Sequence, residues 1–457
     1  MTITYEQALA YISNFEDPYL AAIRDHGKQT WGLDRIRARL HELGDPHLAY
    51  PTIHVAGTKG KGSTSAFIAN GLIGSGLKTG LYVSPHLQDW RERISINFEM
   101  IPPEALVCLV EDYQEIPSEQ TLSAFEVTTA LAFWHFARES CNIAVIEVGL
   151  GGRLDATSVV EPIVSVITNI SFDHTQLLGD TLEQIAGEKA AIIKSGVPVV
   201  SGPQEPAALG VIEQRAAEMN SPLTVIGRDW EALPVSLTWN GSEAEIGPIG
   251  CTKRVHISLP GAFQVENAAV STAALNVAQA AGVPVKSEAV GRAMSEMDWP
   301  GRLEMITESP LIAIDSAHNP YSISRLIESL EILDVYDRLI FVFGCMADKQ
   351  SDLMLGSILR AASMVILTQA DHWRAAAPED LLAAATRLLE EAQFQEEGWG
   401  ESVEVFTSAT VPMAVSMAIK AAEKRDAVCI AGSLAVAGEA RSVLVDDTRF
   451  PSEPADS

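Results

Sequence analysis

Residues 54–64, reading HVAGTKGKGST, restrict this chain more than any other segment. An apolar, β-branched run passes into three glycines interleaved with two lysines, and hydroxyls then open a helical pattern. Glycine lets the backbone turn with positive φ and approach a ligand closely, so a strand–turn–helix unit of this kind aims amide N–H groups at an anion. The helix N-terminus adds partial positive charge, and Lys61 adds a mobile full charge. Phosphate binding uses all of these features; a tight turn carrying incidental lysines is the bland alternative. The match to the standard P-loop is imperfect, because the gap between glycines is shorter and Gly62 separates Lys61 from Ser63.

Short β-branched runs alternate with helical patterns along the rest of the chain, as in βαβ units around a parallel sheet. Strands are expected at 52–56, 79–83, 143–148 and 163–168, with little alternation, as for strands buried on both faces. Helices are expected to start near Ser63, Pro103, Ser123, Thr181 and Phe263. Residues 222–260 read as a β insert on the edge of the sheet. The Pro300-Gly301 pair marks a linker, after which strands are expected at 311–314, 339–343, 364–367 and 428–430. The expected architecture is α/β: a P-loop-type, mostly parallel sheet ATPase domain over 1–298, followed by a smaller Rossmann-like α/β domain over 299–457. An acidic tail is expected over 446–457.

A chain of 457 residues suits two cores better than one. Five scattered cysteines without CxxC spacing argue against a disulfide framework or zinc knuckle and for a reducing compartment. The first twenty residues lack the basic end and apolar block of a signal peptide, and no apolar run approaches bilayer length. A cytoplasmic protein without membrane association is expected. The formal net charge of −28 opposes nucleic-acid binding and repels anionic small molecules unless basic groups gather locally.

Chemistry-bearing groups recur at the carboxyl ends of the expected strands, where open α/β sheets bind ligands. Glu147 ends one strand, and Asp173-His174 follow another. A carboxylate and an imidazole beside a triphosphate suit a Mg²⁺ site; a Glu147–Arg153 pair with a core-satisfied His174 is an equal alternative. The Ser84 hydroxyl is placed to join an oxygen shell, and Arg91 and Arg93 to draw in anions. From spacing alone Lys189 reads as a solvated helix lysine. Asp315-Ser316-Ala317-His318-Asn319 follows a strand of the second domain and looks placed for a ligand between domains, with Arg302 in reach of a nucleotide; an N-cap explains Asn319 or Ser322 only.

The strings HVAGTKGKGST, YVSPHL with RERI, SAFEVTTALAFWHF, IEVGLGGRLDAT, ITNISFDHT, EKAAIIKSG, PGAFQVENAA, PGRLE, DSAHNP, FGCMADK and AGSLAVAGEAR, in this order, resemble the folylpolyglutamate synthases and dihydrofolate synthases of the Mur ligase superfamily. The resemblance implies an ATP-dependent ligase that adds L-glutamate to dihydropteroate or reduced folates, acting as a monomer. It implies ATP phosphates on Gly60, Lys61, Gly62 and Ser63, and nucleotide contacts from Asn267, Arg302 and Asp315. Mg²⁺, at two sites, would use Ser84, Glu147 and His174, with Lys189 carbamylated. Pterin contacts would come from Leu122, Ser123, Ala124 and Phe125 and from Leu154, Asp155 and Ala156; His318 and the Ser433 loop would serve glutamate. Lys61, Lys189 and His318 would carry the catalytic roles. Ser316 and Ala191 stand where the family commonly has glycine. A Mur-type cell-wall ligase and an inactive nucleotide-binding homologue are the rival readings.

Overall fold

The computed structural model describes residues 3–15, 32–333, 336–390 and 403–445. The first sheet is built from β1 (Thr52–Ala56), β2 (Thr79–Tyr82), β3 (Ile94–Ile96), β4 (Glu99–Met100), β5 (Ile143–Glu147), β6 (Pro162–Ile167), β7 (Val199–Ser201) and β8 (Leu223–Val225), in the order β4-β3-β2-β5-β1-β6-β7-β8. All pairs are parallel except those that add β3 and β4 at one edge. Every residue of β1 and β5 is buried; apolar and β-branched side chains meet helices on both faces, which is why these strands show no alternation. β1 lies between β5 and β6, with Val55 opposite Glu147 and Ala56 opposite Ile167. Three strand tips therefore end side by side, and everything that follows them shares one edge.

The helix Lys61–Gly74 leaves β1 through the glycine turn and is mostly buried. It packs against the helix Ala262–Ala280 so closely that a Cβ on Gly71 would lie 2.5 Å from Leu275 Cδ1. The expected β insert is two things. β8 extends the parallel sheet, whereas β9 (Trp230–Thr238), β10 (Gly241–Pro248) and β11 (Lys253–Ile257) form a separate antiparallel sheet. That sheet sits on the helix rather than on the sheet edge: Trp230, Ala244, Ile246 and Ile257 share one apolar core with Ala269, Ala273 and Leu275.

A third sheet comprises β12 (Glu304–Glu308), β13 (Leu311–Ile314), β14 (Arg338–Phe343), β15 (Met364–Leu367), β16 (Glu404–Thr407) and β17 (Asp426–Ala431), ordered β12-β13-β17-β14-β15-β16. Only β12 runs antiparallel. The expected strands are present; the edge strands β12 and β16 were not expected. The loops after β13 and β17 touch at their bases, where the Gly432 amide donates to the Ala317 carbonyl at 2.8 Å.

The lobe around this third sheet, hereafter the second lobe, meets the first through close backbone approach and polar contacts. Helix Leu434–Leu444 lies on the loop after β2, where a Cβ on Gly438 would lie 2.1 Å from the Leu87 carbonyl oxygen. Beside it, Arg441 Nη1 and Gln88 Oε1 are 2.8 Å apart. Among the described residues no helix is long and apolar enough to cross a membrane. The expected acidic tail, 446–457, lies outside the described residues.

Candidate active site

The glycine turn opens onto a cavity between the two lobes. Gly60 caps the helix with φ +84, and a Cβ there would lie 2.2 Å from Asn267 Oδ1. Glycine is thus required twice over, by backbone conformation and by the side chain pressed against it. The helix begins at Lys61, two residues before the expected Ser63. Lys61 Nζ lies 3.4 Å from the Thr58 carbonyl oxygen and 3.9 Å from Glu147 Oε1. A Cβ on Gly62 would face Glu147 Oε2 at 3.7 Å and Arg302 Nη2 at 3.8 Å, so those two charges stand over the turn.

Glu147 is buried at the tip of β5. Burial pushes its carboxyl above the ordinary range, opposed by Lys61 and by the Ser84 amide, which donates to Oε2 at 3.1 Å. The alternative pairing with Arg153 does not form, because Arg153 reaches Glu188 at 2.9 Å. His174 follows β6 with φ +50, and burial lowers its imidazole to about 4. At neutral pH it is an uncharged ring with lone-pair capacity. Among the described residues no three His, Cys, Asp or Glu side chains cluster as a metal cage. Mg²⁺ needs none: it binds through one or two carboxylates, waters and phosphate oxygens. A desolvated Glu147 between Ser84 and the glycine turn fits that demand.

Lys189 overturns the solvated reading. It is 4 % exposed, and its ammonium donates to the Gly57 carbonyl at 2.9 Å. Burial, with Lys61 nearby, lowers it to about 7. The signal was in the helix: Ile185 and Ala186 are buried on the face that Lys189 shares at i+4 and i+3.

From the other lobe, Asp315 accepts the Leu303 and Ala317 amides at 2.7 Å each, and burial raises its carboxyl. His318 Nδ1 donates to the Ser316 carbonyl at 2.8 Å, leaving Nε2 to accept from Lys59 Nζ at 2.8 Å. Lys59 also contacts Asp173 Oδ2 at 3.0 Å. Burial lowers Lys59 to about 8 and by itself raises Asp173, whose carboxyl is nevertheless held well below the usual range by Lys59, His174, Lys349 and His318. Sequence reasoning gave no role to Lys59 or Lys349. The clue was the charge balance: in a chain of −28, four lysines (Lys59, Lys61, Lys189, Lys349) and Arg302 gather here. Arg91 and Arg93 do not join them; they turn to Asp89 at 2.7 Å and to His86 at 2.9 Å.

Twelve expected residues line this cavity: Gly60, Lys61, Gly62, Ser63, Ser84, Glu147, His174, Lys189, Asn267, Arg302, Asp315 and His318. Eight do not. Ser123 caps the helix Ala124–Arg138 and bonds Glu126, and Leu122 is buried behind it. Ala124 and Phe125 are half-buried, the Phe125 ring abutting Gly149 of the cavity wall. Asp155 braces its own loop by accepting the Leu150 and Thr157 amides at 2.9 and 3.0 Å, with half-buried Leu154 and buried Ala156 beside it. Ser433 caps the helix Leu434–Leu444, and its neighbour Leu434 reaches the cavity.

Residues 55–275 match the Mur ligase middle domain and residues 301–434 the Mur ligase glutamate ligase domain. The folylpolyglutamate synthase of Lacticaseibacillus casei is 36% identical over 386 residues, covering 82% of this chain and 88% of that one. The chain belongs to the folylpolyglutamate synthase/dihydrofolate synthase family. Within that family, a Haloferax volcanii protein described as a probable bifunctional folylpolyglutamate synthase/dihydropteroate synthase is 36% identical over 423 residues, 90% of this chain. This chain spans about half of its length, 48%, and 51% of a Halobacterium salinarum relative of the same description. A Mycobacterium tuberculosis folylpolyglutamate synthase solved with ADP and AMPPCP superposes with a TM-score of 0.80 at 30% identity, covering 94% of this chain and 99% of the other. The membership and the α/β architecture agree with the motif reading.

Proposed function

We propose that this chain is an ATP-dependent amide ligase that adds L-glutamate to dihydropteroate, to reduced folyl-polyglutamates, or to both, through an acyl-phosphate. One observation carries the reading: Lys61, Glu147, His174 and His318, from four separate segments of the chain, face one cavity rich in lysine. The M. tuberculosis relative's complexes with ADP and AMPPCP support ATP as the nucleotide. Residues 1–298 would take ATP and the pterin, and 299–457 glutamate, in a cytoplasmic monomer.

In this reading the amides of Gly60, Gly62 and Ser63 hold phosphate oxygens, and Lys61 neutralises charge on the transferred group. A phosphoryl group leaves little covalent work to the protein, so positioning and electrostatics dominate. Asn267 and Arg302, beside the turn, and Asp315, from the second lobe, orient the nucleotide. Ser84, Glu147 and His174 would hold Mg²⁺, which supplies Lewis-acid neutralisation of the phosphates; a carbamate on Lys189 would add a further oxygen ligand. Lys189 suits that modification because burial brings it to about 7, leaving neutral amine near neutral pH. The second lobe covers the reacting atoms, excludes water from a hydrolysable acyl-phosphate and presents the glutamate amine beside His318.

The test is phosphate release with dihydropteroate and with tetrahydrofolate, each with and without glutamate. Glutamate-dependent release with either acceptor supports the proposal, and the acceptor preference assigns the branch. ATP binding without any glutamate-dependent turnover would leave an inactive homologue instead.

A further inference from the structure

The glycine turn carries two lysines, and the chemistry above employs one. Lys61 lies over the turn beside Glu147, whereas Lys59 points across the gap between lobes. Its backbone is pinned to the tip of β6: the Thr168 hydroxyl donates to the Lys59 carbonyl at 2.7 Å, and Lys59 bridges to Asn169. Its side chain is 17 % exposed, and its ammonium meets Asp173 Oδ2 at 3.0 Å and His318 Nε2 at 2.8 Å. Asp173 completes the junction from the first lobe. The same Oδ2 accepts from Asn319 Nδ2 at 3.1 Å, and Oδ1 lies 3.5 Å from Lys349 Nζ.

We propose that Lys59 is a positioning residue that, with Asp173, clasps the second-lobe loop 316–319 onto the phosphate turn and fixes the His318 ring. The inference rests on the ligase reading for its consequence, and on contacts alone for the clasp. His318 already gives its Nδ1 proton to the Ser316 carbonyl, so its Nε2 can only accept, and Lys59 is the donor that meets it. Asp173 is the carboxylate that offsets the lysines gathered there. Removing Lys59 deprives both His318 and Asp173 of a charge-assisted bond and frees the loop, while Lys61 and the turn amides keep their hold on phosphate.

Lys59→Met, which keeps the stem and removes the charge, separates these effects. Apparent KM for glutamate should rise by about tenfold or more, the loss expected for one charge-assisted bond. ADP affinity by calorimetry should stay within about twofold of wild type, and amides of 316–319 should exchange hydrogen faster in the ADP complex. Glutamate kinetics and exchange both at wild-type values would overturn the clasp. An equal fall in ADP affinity would overturn it too, making Lys59 a phosphate ligand. Should Lys59→Met not fold, Lys59→Gln is read by the same criteria. If wild-type protein shows no glutamate-dependent turnover, the ligase reading fails, and exchange at 316–319 still decides the clasp.

Discussion

Two regions of the first lobe carry family strings and have different physical standing. In the turn 57–63, with Glu147, His174 and Lys189, ionisable groups from separate elements share one cavity, and Glu147 and Lys189 among them are buried. In the stretch formed by 122–125 and 154–156, the polar atoms are already satisfied by the chain itself: Ser123 and Glu126 close a capping box, and Asp155 receives two amides and the Thr157 hydroxyl. Burial of charge costs free energy unless a ligand or partner offsets it. In the proposed reading a ligand offsets that cost in the first region, whereas in the second the chain offsets it internally. A matching string therefore marks shared structure at both places, and ionisable groups facing a cavity at one.

Lys61→Ala should widen this contrast most. Loss of the phosphate-directed ammonium should lower glutamate-dependent ADP formation by about 10³-fold or more, on the scale of removing a transition-state charge stabiliser. The side chain makes only a 3.4 Å contact to Thr58 and a 3.9 Å approach to Glu147, so the melting temperature should barely move. Turnover near wild type would erase the difference between the regions.

The wall can be probed through acid. His54 is fully buried on β1, and its Nε2 donates to Thr157 Oγ1 at 2.9 Å, because the Thr157 hydroxyl proton goes to Asp155. Protonation would add a buried Nδ1–H without an acceptor, and burial lowers the ring to about 3 from 6.5. The unfolded chain therefore binds the proton first. Stability from this group is complete above pH 6.5 and is lost as pH falls toward 3. Against His54→Gln, wild type should lose about 3 kcal/mol more between pH 7 and pH 4, from 1.36 kcal/mol per pH unit. Denaturant melts at the two pH values measure it; parallel losses in both proteins would remove His54 from the brace.

The sequence exposed the buried parts of the fold better than its rims. β13 and β15 are unbroken apolar runs, and β1 and β5 are mostly apolar, because both faces are covered. β12 and β16 carry EMITE and EVFT with mostly open faces, and an edge strand has no need of an apolar run. The separate β9–β11 sheet was misassigned to the edge because alternation reports one buried face without naming what covers it. At the site, glycine spacing and strand-end charges pointed to the turn that lines the cavity. Lys59 escaped notice because its partners Asp173 and His318 lie 114 and 259 residues away in the chain, distances no local pattern spans.

The smallest effect gives the finest test. Ser123 Oγ accepts the Glu126 amide at 3.3 Å and donates to Glu126 Oε2 at 2.8 Å, and that carboxylate also takes the Ser123 amide at 2.8 Å. Arg35 joins from 3.1 Å. Ser123→Ala removes the cap, which should cost about 1 kcal/mol of stability, while apparent KM for the pterin acceptor stays within about twofold. Equilibrium unfolding and acceptor titration at saturating ATP and glutamate read the two quantities. A tenfold rise in acceptor KM with unchanged stability would make Ser123 a substrate contact. The wall would then belong to the site, and the line between the two regions would have to be redrawn on the far side of the helix Ala124–Arg138.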